Sequence, residues 1–161
     1  MFNPMPLNGT FIDSVMDRSS RVAPYAHRLY SRARWAHQRK QLLARLTGQD
    51  RRLFTLDEVE TQAPVVQRYS IGTRTVALDQ IRGTMSKADA FDIDFYPVHE
   101  RTENRWLQVA TAFLRGASLP PVELIQVGNH YFVVDGHHRL SVARTLKHTH
   151  IDAVITVWNI V

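Results

Sequence analysis

The chain contains no cysteine, and that absence closes several functions at once. It cannot build a disulfide framework, a thiolate metal site or a cysteine nucleophile. No apolar run approaches the length needed to cross a membrane. Met1 to Thr10 lacks a basic segment leading into an apolar core, so no secretory signal is expected and a soluble cytoplasmic protein is the expectation. Among the eight histidines, neither the adjacent His137-His138 nor His148-Thr149-His150, which reads as filling the loop after the last helix, has a recognised ligand spacing, so no zinc site is expected. Ser141 has no evident base and acid to activate it, which argues against a serine hydrolase. The Gly-x-x-x-x-Gly-Lys-Ser/Thr spacing of a P-loop is missing as well.

What is present is unevenly distributed. At 161 residues, one domain with a real core and an added arm is expected. Residues 1–55 carry ten Lys/Arg against three Asp/Glu, a net +7, whereas residues 56–161 carry ten against twelve, a net −2. This asymmetry divides the chain into a basic helical extension, 1–55, and a second unit, 56–161. Met1 to Ser20, with two prolines and little periodicity, reads as a loose arm. Tyr25 to Leu46 reads as a basic, amphipathic helix, with Pro24 near its start and Gly48 at its end. Its cations Arg28, Arg32, Arg34, Arg39, Lys40 and Arg45 could grip the phosphates of DNA or RNA, releasing counterions, or meet an acidic partner or anionic lipid.

Thr55 and Glu58 have the spacing of a helix cap. Arg68 to Leu78 reads as a strand that runs into a loop, Ile81 to Lys87. There Arg82, Gly83, Thr84, Ser86 and Lys87 offer cations, hydroxyls and a flexible glycine that could close over a phosphate. Phe91 to Pro97 alternates apolar and acidic residues, as a strand edge would. It would project Asp92 and Asp94 together, able to hold Mg²⁺, or one of them could pair with an arginine of the basic helix. Trp106, Val109, Ala110, Phe113 and Leu114 mark a helix within Glu100 to Gly116, with Arg101 and Arg105 at its start. Leu119 to Val127, a strand with a rigid proline entry, and His130 to Val134 form a hairpin about Gly128-Asn129.

The last motif is Tyr131 to Arg144. A short aromatic and β-branched strand breaks at Asp135-Gly136 and continues as a helix beginning at His137-His138-Arg139. Such a turn leaves backbone N–H groups pointing at whatever sits above it, a ready anion site. Gly136-His137-His138-Arg139, the helix after it and the strand Ile151 to Trp158 resemble the ParB/sulfiredoxin superfamily. In that superfamily the corresponding turn, Gly-Glu-Arg-Arg or Gly-Cys-His-Arg, binds nucleotide phosphates. The resemblance runs from about Thr75 to Trp158. It implies an α+β fold, a small mixed sheet flanked by helices. It further implies CTP or ATP with Mg²⁺, bound by Asp135, Gly136, His137, His138, Arg139 and Ser141, with Arg82, Gly83, Thr84, Ser86, Lys87 and Arg105 facing them. A nucleotide-dependent switch or a phosphotransferase, and a possible homodimer, are the activities and assembly it suggests. His137 stands where sulfiredoxins carry their catalytic cysteine, so sulfinic-acid repair is excluded. ParB proteins normally continue into a helix-turn-helix domain, and no such motif follows here.

Overall fold

The structure is a computed structural model that describes residues 10–86 and 88–161, with side chains from residue 21 onward. Helices and strands are interspersed along the chain, most joined by short connections and β3 and α3 by a longer one, and the result is α+β. Helix α1 spans Thr10–Thr47, strand β1 Phe54–Thr55, helix α2 Leu56–Gln62, and strands β2 and β3 Val65–Ala77 and Ile81–Thr84. Helix α3 spans Glu103–Leu114, β4 Val122–Val127, β5 His130–Asp135, α4 His137–Thr145 and β6 His150–Ile160. The six strands form one mixed sheet in the order β1-β3-β5-β4-β6-β2.

The sheet is buried on both faces at its centre. Along β4, Val122 and Leu124 join the larger core with Trp106, Val133, Leu140 and Ile155, while Ile125 and Val127 turn to a smaller one with Leu56, Phe132 and Trp158. That split follows from the two-residue period of a strand. Helices α1, α3 and α4 cover the first face, and α2 covers part of the second. Helix α2 starts where the sequence signalled, with the Thr55 N–H donating to Glu58 Oε2 at 3.0 Å.

Four segments differ from the sequence expectation. The expected loose arm is helical from Thr10, with residues 1–9 outside the described part, and Pro24 lies inside α1 rather than at its start. Ile81 to Thr84 is strand β3, parallel to both β1 and β5, not a loop. A Cβ on Gly83 would lie 2.4 Å from the Phe132 ring and 2.7 Å from the Phe54 carbonyl, so glycine here permits close approach rather than flexibility. Phe91 to Pro97 is a compact loop, not a strand edge. Its turn puts Phe95 at φ 58, fully buried, a left-handed conformation that costs about 1–3 kcal/mol outside glycine. His150 belongs to β6 rather than to the preceding loop.

The basic extension packs on the rest of the fold. Ala26, Leu29, Tyr30 and Ala33 recur at three- and four-residue steps and are buried. Tyr30 meets Trp106 of α3 edge-on, ring centroids 5.4 Å apart. The two alanines let the helix backbones come close.

Candidate functional site

The abrupt end of β5 depends on Gly136. Its φ of 97° is left-handed, and a Cβ there would lie 2.6 Å from Val122 Cγ1. Only glycine meets both conditions. The chain then enters α4 with no side chain capping its first turn and no acidic residue within it. The backbone N–H groups of that turn have no intrahelical acceptors. They open towards a cleft of about 410 Å³ lined by Arg105, Val109, Leu119 and Pro120 together with Asp135 to Arg139. Two arginines face one carboxylate there.

The members of this turn do different jobs. Arg139 fastens it: its guanidinium donates to the carbonyls of Pro120 at 2.6 Å and Pro121 at 2.8 Å, and to Asp135 Oδ2 at 2.6 Å. Most of its donors are therefore used within the fold. Asp135 braces the turn through that pair. His137 is buried, stacked on Phe91, with Nε2 2.7 Å from Thr84 Oγ1. Thr84 gives its single proton to the Ser86 carbonyl and accepts the Ser86 N–H at 3.0 Å. The hydroxyl of Thr84 thus joins the 84–86 turn to the His137 ring. His138 is half-buried, edge-on to Phe91 at 5.2 Å between ring centroids, and lines the cleft.

The other residues named from the sequence divide cleanly. Arg105 is brought to the turn as expected. Ser141 is not, because it lies on the buried side of α4 and accepts the indole N–H of Trp106 at 2.9 Å. Thr84 is fully buried behind His137, and Ser86 is held beside it. Arg82 is exposed and does not line the cleft; its charge bears on Arg144 instead. Lys87 lies outside the described residues. Arg101 pairs with Asp89.

Asp92 and Asp94 are together, but on cations. Asp92 is 2% exposed; its Oδ1 accepts the N–H groups of Asp94 at 3.0 Å and Tyr96 at 2.9 Å. Its Oδ2 meets His37 Nδ1 at 2.9 Å and Arg51 at 3.1 Å. Asp94 meets Lys40 at 2.8 Å, and also Arg51. Burial pushes the Asp94 carboxyl up, but the hydrogen bonds from Lys40 and Arg51 outweigh it and hold the group below the usual carboxylate range. Burial likewise pushes Arg51 down, and the same two carboxylates more than offset that. Among the described residues, no three His, Cys, Asp or Glu side chains form a group that could hold a metal ion. These contacts, with Arg34 on the Val98 carbonyl and Tyr30 on that of His99 at 3.4 Å, seat α1 on the 91–99 loop. Arg34 and Lys40 thus face inward, whereas Arg28, Arg32, Arg39 and Arg45 are exposed.

Sequence reasoning missed His37, Arg51 and Arg144. Arg144 packs over Phe95 and donates to the carbonyls of Leu78 and Ile81, the latter at 3.0 Å. Each acts across more than ten residues of chain, and no local pattern announces such a contact. The helical spacing of Trp106 likewise gives no sign of its bond to Ser141.

No family model matches the chain, and no curated protein matches it. Among solved structures, the fold is similar to the crystal structure of sulfiredoxin from Arabidopsis thaliana. That match has 16% sequence identity and a TM-score of 0.42, over 54% of this chain and 86% of that one. No helix among the described residues is long and apolar enough to cross a membrane.

Proposed function

We propose that this chain binds a nucleoside triphosphate, CTP or ATP, with its phosphates in the cleft at the first turn of α4. The observation that carries the reading is the uncapped first turn of α4, opening on a cleft shared by Arg105 and His138. Backbone N–H groups and the helix dipole favour an anion there. Arg105 adds a guanidinium suited to phosphate oxygens, and His138 a further ring donor when protonated. Arg139 and Asp135 hold the turn's shape rather than the ligand. His137, through Thr84, keeps the first turn in register with β3.

The resemblance of the Gly136 to Arg139 box to ParB and sulfiredoxin sequences supplies the choice of nucleotide, and with it Mg²⁺. Asp92 and Asp94 do not fit as the metal's ligands, since both Asp92 oxygens and Asp94 Oδ2 are already taken by His37, Lys40, Arg51 and two backbone N–H groups. Mg²⁺ in this reading travels on the triphosphate itself, as is usual for that ion. A switch between bound and free forms is the activity that such a site supports best.

The test is calorimetric titration of CTP, ATP and GTP with Mg²⁺ against the wild type, Arg105→Gln and His138→Gln. Micromolar binding of one triphosphate, weakened about tenfold in Arg105→Gln, is expected from the loss of one charge-assisted contact. Absence of heat with all three nucleotides, and with inorganic triphosphate, would overturn the reading.

A further inference from the structure

A second surface stands apart from the α4 cleft. Tyr25, Arg28, Arg32, Trp35, Arg39 and Leu42 follow one another at three- and four-residue steps, so they share one side of α1. It is the side opposite Ala26, Leu29 and Ala33, and every one of the six is exposed, Trp35 to 61%. The guanidinium of Arg28 lies over the Tyr25 ring at 5.5 Å and that of Arg39 over the Trp35 ring at 5.3 Å. Between Arg18 and Gln49 the sequence has no Asp or Glu. The inward cations Arg34 and Lys40 are occupied by the 91–99 loop, and these outward arginines have no carboxylate partner among the described contacts.

We infer that this face of α1 binds single-stranded nucleic acid. Arginines over exposed aromatic rings form flat, cationic platforms on which bases stack whatever their identity. From Tyr25 to Leu42 the stripe is about 26 Å long at the rise of an α-helix, long enough for several nucleotides. Charge complementarity selects against the other occupants. A second copy would bring the same arginines face to face with no acid to pair them. Leu42, Leu43 and Leu46 are exposed and would suit a lipid surface by themselves. Arg28, Arg32 and Arg39, however, interrupt the same stripe, so no continuous apolar face is left to enter the acyl region.

Trp35 supplies the readout, because Trp106 and Trp158 are buried. Tryptophan emission and fluorescence anisotropy are followed on titration with labelled oligo-dT, with duplex DNA and with phosphatidylserine-containing vesicles. Oligo-dT is expected to quench Trp35. Contact of three arginines with phosphates gives a log–log salt slope of about −2, or about 20-fold weaker binding between roughly 50 and 200 mM salt. Trp35→Leu should weaken binding about tenfold with unchanged circular dichroism, and combined Arg28→Gln, Arg32→Gln and Arg39→Gln should abolish the salt slope. Duplex bound as tightly as oligo-dT with Trp35→Leu without effect, binding to vesicles but not to oligo-dT, or no quenching by oligo-dT at low salt would each overturn the inference.

Discussion

His137 Nε2 lies 2.7 Å from the hydroxyl of Thr84, 53 residues earlier in the chain, and both side chains are buried. The bond ties the end of β3 to the first turn of α4. The shape of the candidate cleft therefore depends on a strand that contributes no charged group to it.

Thr84→Val keeps the volume and β-branching but removes the acceptor. It removes the hydrogen bond to the buried imidazole Nε2 and the one from the Ser86 N–H, a loss of about 1–3 kcal/mol. Thr84→Ser should restore most of it. Urea denaturation of the three proteins is the measurement, and equal midpoints for wild type and Thr84→Val would contradict the role assigned to this bond.

Arg139→Ala should destabilise the fold, because it releases the Pro120 and Pro121 carbonyls and the Asp135 carboxylate together. A loss of about 2 kcal/mol is expected, read as a fall in melting temperature. Lysine should not rescue it, since one ammonium cannot span the three acceptors as the guanidinium fork does.

Gly136→Ala meets two obstacles, a left-handed φ and the Val122 side chain. A loss of about 2–4 kcal/mol is expected in thermal unfolding. Val122→Ala in the same chain removes the Cγ1 contact but keeps the Cβ at 2.9 Å and the left-handed φ, so the double variant will remain less stable than Val122→Ala alone.

Acid should loosen the seat of α1. The folded state holds Asp94 below its ordinary range, so its contribution is complete above the unfolded value and fades as pH falls through the lowered folded one. The difference in melting temperature between wild type and Asp94→Asn should thus be constant near neutral pH and shrink below about pH 4. A difference that persists at the lowest pH would show that the carboxylate's charge is not what stabilises.

The sequence made the turn legible because Asp135-Gly136 after a β-branched run is a local signal, and the cap at Thr55 and Glu58 was equally local. Other segments misled for reasons that are also physical. Phe91 to Pro97 alternates like a strand, yet Asp92 gathers the N–H groups of its own loop and curls it. Gly83 looked like a flexible loop glycine because a glycine's need for room around its backbone leaves no trace in neighbouring residues. The pairing of Arg139 with Pro120 and Pro121, and of His37 with Asp92, spans 18 to 55 residues. Residue types alone do not choose among the many cations and carbonyls available at such separations. The same limit applies to Ser141: its place in the phosphate-binding pattern suggested a ligand contact, but its position on α4 turned it towards Trp106.

Strand β2 lies at one edge of the sheet, and its neighbour is β6, so residues 65–77 pair with residues 150–160. A ribosome must add more than seventy residues after β2 before that partner exists. Throughout that interval the thirteen residues of β2 present unmatched backbone groups to solvent or to a chaperone. Closure across so long a loop is slow. The rate of productive folding in vivo should accordingly be set by how quickly β6 is made and captured, and slow codons between β2 and β6 would lengthen the period in which this chain can aggregate.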